Sequence, residues 1–286
     1  MTAAASAIHE IPTDALLRAD PILRAGRRDT FADVMERLRR LDLDHPRVYA
    51  IADMAGQGRR RWWALGGPRA SERIEAMIDR AEEDHPDRRV AAQQVAGACV
   101  HAIVGRVATS VVLDGVAWDP GIDNLWMHFD SDVAIDWVGV ADPTLRVVSG
   151  GRYRPRPGEY PSSGGEGRRV VELPCERALM LWTAQRCLTS LSATFAAVPG
   201  VDRARFWSIV ADSVVGTACL APILGDRDAG LSGRRSRGPA WRRGQALLDA
   251  FVELGAPVRG RTRAGVDKVG KPRLICNQTT FRIGTF

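Results

Sequence analysis

Five cysteines are the residues of this chain whose chemistry can be tested most directly against their spacing. They are Cys99, Cys175, Cys187, Cys219 and Cys276. An odd number at wide intervals does not make a disulfide framework, and the chain contains no C-x-x-C pair. The last of the five lies in a basic C-terminal stretch that ends RLICNQTTFRIGTF. Cys276 is therefore either a packing residue or one ligand of a metal site.

The sequence around the other four cysteines favours structural roles. Cys99, Cys187 and Cys219 each fall within an apolar pattern typical of a helix, so we expect three small, buried hydrophobic side chains. Cys175 follows Pro174 at a predicted helix start. No base lies close to it in the sequence, so we interpret Cys175 as structural as well.

Five histidines are scattered along the chain and match no catalytic or metal-binding motif. They are His9, His45, His85, His101 and His128. His101 lies in an apolar helical pattern, which favours a core histidine whose hydrogen bonds are satisfied. His128 alternates with Trp126 on a predicted strand, which favours cross-strand packing. The sequence also has no H-E-x-x-H, no G-x-S-x-G and no Gly-rich phosphate loop.

The positive charge of the chain is concentrated towards its C-terminus. The formal net charge is +6, but residues 231–286 carry ten Arg and two Lys against two Asp and one Glu, a net of +9. An anionic partner is therefore expected near this end. Nucleic acid is the less favoured partner, because the arginines are not interleaved with stacking aromatic residues and no recognition motif accompanies them.

Composition and hydropathy are those of a globular protein of a reducing compartment. Hydrophobic residues make up 45% and charged residues 26% of the chain. The apolar run from Val95 to Val112 is interrupted by His101, Gly105 and Arg106, so we interpret it as a buried helix and expect no membrane span. The N-terminus has no basic region followed by an apolar stretch, so we expect no secretion signal and a cytoplasmic location.

The elements predicted from the patterning give an α+β fold, with a mixed N-terminal half that contains a small antiparallel sheet and a helical C-terminal half. The predicted helices cover 30–41, 71–83, 88–113, 175–198, 202–224 and 239–254. The predicted strands cover 47–52 and 169–173, with a hairpin formed by 124–129 and 133–140. Asp87 is the predicted N-cap of the long third helix, and Asp114-Gly115 the turn that ends it.

This pattern divides the chain into five segments. Residues 1–28 form a loosely ordered lead-in, and 29–148 form the mixed half. A Gly-, Pro-, Arg- and Ser-rich linker or loop follows over 149–168. Residues 169–255 form the helical half, and 256–286 a basic tail.

Several stretches, taken in order, resemble the siderophore-iron reductase (FhuF-like) family. Arg88-Arg-Val-Ala-Ala resembles the family's "RVAAS" helix start, which leads into a long apolar helix and a V-L-D-G turn, here Val112 to Gly115. Asp123-Asn-Leu-Trp-Met-His-Phe-Asp130 resembles the strand written "NVWLHLD". Phe206-Trp-Ser-Ile-Val-Ala-Asp212 resembles the "LWGNVADAL" helix, after a "RARF"-like start. The resemblance covers most of residues 45–286.

The resemblance implies a cofactor site at the C-terminus. Relatives end in a basic R-x-x-C-C followed by a C-x-x-C pair, and the four thiolates hold a [2Fe–2S] cluster. Arg273-Leu-Ile-Cys276 matches the start of this motif, whereas Asn277 stands at the second cysteine and the last pair would fall beyond Phe286. The resemblance thus makes Cys276 the metal and cluster ligand, with Arg273 and Lys271 as charge-compensating or substrate-binding residues.

The implied function is that of a ferric-siderophore reductase of bacterial iron acquisition. Such a protein reduces Fe(III) held by a siderophore, for example one of the hydroxamate type, and releases Fe(II), using an electron donor. Its partners would be the ferric siderophore and that donor. The alternative is a protein that has lost the cluster and binds a siderophore or another small acid without reducing it.

Overall fold

A computed structural model describes residues 22–25, 30–148, 169–198, 200–226 and 237–259 of the 286-residue chain. It has the predicted α+β organisation, with strands and helices mixed before residue 148 and three long helices after residue 175. The proposed linker at 149–168 and the segments 1–21 and 260–286 lie outside the described residues.

The helices match the predicted ones closely. They are α1 (Thr30–Arg40), α2 (Ala70–Asp84), α3 (Arg88–Val100), α4 (Arg106–Asp114), α5 (Glu176–Ala197), α6 (Arg203–Asp226) and α7 (Arg237–Glu253). A π-helical turn, His101–Gly105, joins α3 to α4. Two 3₁₀ turns, Met54–Gly56 and Arg59–Arg61, lie in the mixed half.

Within the described residues, eight strands form two four-stranded sheets. They are β1 (Ile22–Ala25), β2 (Ile51–Asp53), β3 (Trp62–Ala64), β4 (Val116–Trp118), β5 (Leu125–Phe129), β6 (Ile135–Val140), β7 (Leu145–Val148) and β8 (Arg169–Leu173). One sheet has the order β1-β8-β7-β4 and the other β2-β6-β5-β3. The predicted hairpin is the antiparallel pair β5–β6. Each sheet also contains one parallel pair, β7–β8 in the first and β2–β6 in the second.

Local signals explain both ends of the α3–π–α4 rod. The Asp87 carboxylate accepts a hydrogen bond from the Arg89 N–H, which confirms the predicted N-cap. Gly115 adopts the left-handed conformation, with φ 65°, that ends a helix at little steric cost. The Arg243 guanidinium of α7 donates to the Val112 carbonyl oxygen at 3.2 Å, so a cation satisfies the last turn of α4.

One apolar cluster includes residues of both predicted halves. Phe31, Trp118 and Leu125 belong to it, and so do Leu179 and Phe251 from the helices after residue 175. The rod packs against α5 and α6, which places its apolar sides in the interior. The residues at the middle of the rod are therefore held by neighbours on several sides.

Two local predictions need correction. The strand predicted from Arg47 begins only at Ile51, because residues 46–49 form a turn in which the Val48 N–H donates to the His45 carbonyl oxygen at 3.0 Å. Cys219, predicted as buried, is exposed. Helix α6 is apolar nearly all round, and its outer side also exposes Leu220 and Ile223. Periodicity cannot indicate the buried side of such a helix.

In the part of the chain that the structure describes, two helical stretches are long and apolar enough to cross a membrane by length and composition alone. They are Arg88–Asp114, whose apolar window is 83% buried, and Arg203–Gly225, whose window is 33% buried. The core helix of a globular protein passes the same test, and the burial of the first stretch is that of a core helix.

Candidate functional site

A cavity of about 450 Å³ lies where the turn before β2 meets the π-helical turn and the start of β6. Its lining residues come from these three segments and from the first residue of α4. They are Asp44, His45, Pro46, Arg47, Val48, His101, Arg106, Ile135 and Asp136. A volume of this size is within the range of about 300–1,000 Å³ that small-molecule sites occupy. The cavity lies within the mixed half, not between the two halves.

The π-helical turn brings His101 and Arg106 to the same cavity. The Arg106 N–H donates to the His101 carbonyl oxygen, five residues back. In a regular α-helix, two residues five apart point about 140° away from each other. The wider π turn reduces that angle, so both side chains can face one space. Gly105 permits the arrangement, because a Cβ at this position would lie 2.6 Å from the His101 Nδ1.

Arg106 is a buried cation with part of its hydrogen-bonding capacity unused. Its side chain is 2% exposed. Nη1 donates to the Ala50 carbonyl oxygen and Nη2 to the Asp136 carbonyl oxygen at 3.1 Å, but Nε has no partner. Burial lowers the pKa of Arg106 to about 9, and the negative charge of Asp136 opposes that shift. The guanidinium is therefore still charged at neutral pH, in a place where charge is disfavoured.

The carboxylate whose charge acts on Arg106, that of Asp136, is already engaged by other side chains. Asp136 accepts from the Arg47 Nη1 at 2.7 Å through Oδ2, and its Oδ1 lies 2.6 Å from the His128 Nδ1. Its side chain therefore neutralises Arg47 first, and Arg106 contacts only its backbone carbonyl. The cavity thus contains one cationic side chain, Arg106, that no carboxylate directly pairs.

His101 contributes a neutral ring to the cavity wall. Its Nε2 lies 2.9 Å from the Val48 carbonyl oxygen. A carbonyl oxygen only accepts, so Nε2 carries the proton and Nδ1 does not. Burial, and after it the positive charge of Arg106, lowers the pKa of His101 to about 4. The ring is neutral at pH 7 and does not add to the positive charge of the site.

Aromatic rings contact Arg47 and His128, the two side chains that hold the Asp136 carboxylate. The Arg47 guanidinium lies 5.6 Å and that of Arg39 5.8 Å from the centre of the Trp137 ring. The Trp62 ring lies 5.2 Å from that of His128 across the β3–β5 pair. These contacts fix the side chains that hold Asp136.

The turn that leads into β6 stores backbone strain beside the cavity. Val133 has φ 63°, a left-handed conformation that a β-branched residue rarely adopts. The Asp130 carboxylate holds the turn by accepting from the Asp132 and Ala134 N–H groups, each at 2.9 Å. Ile135 and Asp136, which line the cavity, follow this turn directly. Strain of this kind is often found next to functional sites.

The arrangement is suited to binding an anion. An incoming carboxylate, hydroxamate or similar oxygen would give Arg106 the direct acidic partner that it lacks. Among the residues that the structure describes, no group of three or more His, Cys, Asp or Glu side chains could hold a metal ion.

The residues predicted for the cluster, Cys276, Arg273 and Lys271, lie outside the described residues. Of the other cysteines, Cys99 and Cys187 are completely buried as predicted. Burial raises the pKa of the Cys99 thiol to about 12, and it also raises the pKa of the Cys187 thiol. Thiols that resist ionisation in this way are poor metal ligands. The described part of the chain therefore offers no ligand set that fits a [2Fe–2S] cluster.

The two histidines predicted as structural have the expected contacts and also belong to the site. His101 has its hydrogen bond and His128 its cross-strand ring contact. Sequence reasoning missed Arg106, Arg47 and Asp136. The available signal was a histidine and an arginine five residues apart within an apolar run, which no regular helix would bury on one side.

Comparison with family models, with curated proteins and with solved structures finds no match to this chain.

Proposed function

We propose that this protein binds a small acid in the cavity beside the π-helical turn, and that the acid belongs to the class of anionic ferric chelates. The observation that carries the proposal is the buried Arg106, whose Nε has no partner, together with the engagement of the Asp136 carboxylate by Arg47 and His128. An unneutralised buried cation is costly to keep, and a bound anion would offset that cost.

The iron chemistry in the proposal comes from the resemblance to the siderophore-iron reductases. Its signatures fall on the kinds of element that the resemblance predicts. The "RVAA" stretch begins α3, the V-L-D-G turn ends α4, and "NLWMHF" covers β5. His128, which orients Asp136, lies on that strand. This agreement supports the assignment of the ligand class.

Quenching of tryptophan fluorescence by ferric complexes tests the proposal, because Trp137 and Trp62 lie beside the residues that hold Asp136. Ferric dicitrate is the anionic probe, and the uncharged ferric tris-acetohydroxamate complex is its counterpart. The anionic complex should bind more tightly. Arg106→Met should weaken its binding about ten-fold to a hundred-fold, the value of a hydrogen bond to a charged group.

Arg146→Met is the matched control. Arg146 is partly buried, its guanidinium lies 4.5 Å from the Trp182 ring centre, and burial lowers its pKa as it does that of Arg106, but it does not line the cavity. It should bind the probe as the wild type does, and thermal unfolding should show both variants folded. Equal affinity in folded Arg106→Met and wild type would contradict the proposal.

A second proposed function is ferric-siderophore reduction, which the resemblance implies and which depends on Cys276. A [2Fe–2S] cluster needs four soft ligands, and the carboxamide of Asn277 is a poor substitute for a thiolate. Protein purified without oxygen should therefore show little charge-transfer absorbance and substoichiometric iron. Stoichiometric iron and sulfide that disappear in Cys276→Ala would instead establish the cluster and the reductase.

A further inference from the structure

A second cavity, of about 210 Å³, lies between the segment before α2 and the C-terminal half of α5. It shares no lining residue with the first. Its walls are formed by Leu65, Gly66, Gly67, Ala70, Ser71, Ile74, Ile122, Ala193, Thr194 and Ala197. Most of these residues are apolar or small, and none carries a charge. The cavity is smaller than the range of about 300–1,000 Å³ for drug-sized ligands, so it would take a molecule of only a few heavy atoms.

One end of this cavity is the N-terminus of α2. The helix has 15 residues, and its capping residue, Arg69, makes no side-chain cap hydrogen bond. The first-turn N–H groups of an α-helix have no partner within the helix, and they carry the positive end of its dipole. Ala70 and Ser71, the first two residues of α2, line the cavity. The Ala70 N–H already donates to the Gly67 carbonyl oxygen at 3.1 Å, so the Ser71 N–H is the group that would meet a ligand. This end of the cavity therefore favours negative charge.

Thr194 provides an independent sign that a ligand belongs here. Its side chain is completely buried, it lines the cavity, and its Oγ1 has no hydrogen-bond partner. A buried hydroxyl without a partner is rare in folded proteins. Helix α5 has two of them, at Thr183 and Thr194, and of the two only Thr194 lines this cavity. A ligand oxygen in the cavity would accept from this hydroxyl.

The opposite wall limits the rest of the ligand to hydrocarbon. Leu65 and Ile74 are buried, and Ile122 is partly buried. Gly66 lies so close to Ile122 that a Cβ on Gly66 would be 3.1 Å from the Ile122 carbonyl oxygen. A phosphate would place two negative charges where no cationic side chain lines the space. A singly charged acid with a short apolar chain matches both ends.

We propose that this cavity binds a short aliphatic carboxylate, with its carboxylate between the α2 N-terminus and Thr194 Oγ1, and its hydrocarbon chain against Leu65, Ile74 and Ile122. Butyrate is the probe that represents this class. The uncharged 1-butanol has the same chain length, and inorganic phosphate has charge without a chain.

Amide chemical shifts of Gly66, Gly67 and Ser71 in the full-length protein provide the test. Butyrate should shift these resonances in a saturable way. Its affinity should be at least ten-fold higher than that of 1-butanol or phosphate. Butanol that binds as tightly as butyrate would overturn the proposal, since the cavity would then be only an apolar void. Tighter binding of phosphate would overturn it as well, and so would the absence of any saturable shift.

Thr194→Val removes the hydroxyl and keeps the shape of the side chain. It should weaken butyrate binding about ten-fold or more, which corresponds to the loss of one hydrogen bond to a charged group. Thr183→Val is the matched control, because Thr183 lies on the same helix and is equally buried with an unpartnered Oγ1, but does not line the cavity. It should leave butyrate binding unchanged.

Equal affinity in wild type and folded Thr194→Val would contradict the assignment. Thermal unfolding of both valine variants checks folding, and each should be at least as stable as the wild type because an unsatisfied hydroxyl is removed. This site does not depend on the proposed function, since Thr194→Val leaves the cavity of Arg106 intact and Arg106→Met leaves this one intact. Failure of either proposal can therefore be recognised separately.

Discussion

At the scale of single residues, the candidate site depends on which charges are paired. Asp136 holds Arg47 at 2.7 Å and lies 2.6 Å from the His128 Nδ1, so its carboxylate is not available to Arg106. Arg106 is left with two carbonyl oxygens and an unpartnered Nε. Carbonyl dipoles solvate a guanidinium, but they do not neutralise it. Arg106 thus makes the fold less stable, and it is the residue that we propose binds the anion.

His101 should make the stability of the fold depend on pH. Its pKa is about 4 in the folded protein and 6.5 in the unfolded chain. As the pH falls from 6.5 to 4, the unfolded chain gains a proton that the folded protein does not, so the free energy of unfolding should decrease by at most about 3 kcal/mol. The decrease should be smaller than this limit, because the ring is partly accessible to water.

His101→Gln is the comparison for this prediction, since its amide can still donate to the Val48 carbonyl oxygen but does not titrate. Urea unfolding of both proteins at several pH values should show a steeper acid loss for the wild type between pH 6.5 and 4. Groups common to both proteins, Asp136 among them, cancel in the difference. Parallel curves would show that His101 is not held in its neutral form.

At the scale of elements, the π-helical turn does what no regular helix could do. It places His101 and Arg106 on one cavity while α3 and α4 continue in the same rod. The ends of the rod were predicted from Asp87 and Gly115, because capping depends on local chemistry. The π turn was not, because its stability comes from what packs around it. Gly105 lies against the His101 ring and near Ser213 of α6, and the sequence does not indicate these contacts.

The strands that were predicted depend on local sequence, whereas those that were missed depend on partners far away in the sequence. The hairpin β5–β6 was predicted because its two runs are adjacent and rich in aromatic and β-branched residues. Strands β3 and β4 have three residues each, too few for an alternating pattern. They exist because distant partners, β5 and β7, offer an edge to pair with. The cavity was missed for the same reason, since its walls come from three separate segments.

Gly105→Ala should disturb the π turn. The added Cβ would lie 2.6 Å from the His101 Nδ1 and 3.1 Å from the Ser213 Oγ, so the ring must move. We expect a loss of about 1–3 kcal/mol in the free energy of unfolding, together with weaker binding of the anionic probe. Gly97→Ala is the control in the same rod, because nothing lies within 4 Å of its added Cβ. It should be neutral or stabilising by up to about 1 kcal/mol. Equal stability of the two variants would contradict this prediction, because it would show that the His101 ring can move at little cost in free energy.

At the scale of the whole molecule, the two predicted halves share a sheet and a core. Strand β8 belongs to the second half, but it pairs in parallel with β7 of the first half. Helix α4 packs against α6 and α7, and a single apolar cluster contains residues from Phe31 to Val258. Separation of the halves would expose the sides of this rod and leave β7 without one of its two neighbours. The 149–168 segment thus joins two parts of the chain whose described residues pack together.

This shared core should make the halves unfold together, and two buried thiols can report on it. Cys99 lies in the first half and Cys187 in the second, and both are completely buried. With the other three cysteines replaced by serine, neither thiol should react with a thiol reagent in the native protein, whereas in the unmodified chain the exposed Cys219 should react quickly. As urea is added, Cys99 and Cys187 should become reactive with one midpoint, because exposing either requires α5 to separate from the rod that it packs against.

The measurement is the extent of labelling at each residue by peptide mass spectrometry after a short pulse of reagent. Two separate midpoints would show that the halves unfold independently, with the boundary at 149–168 acting as a true domain linker.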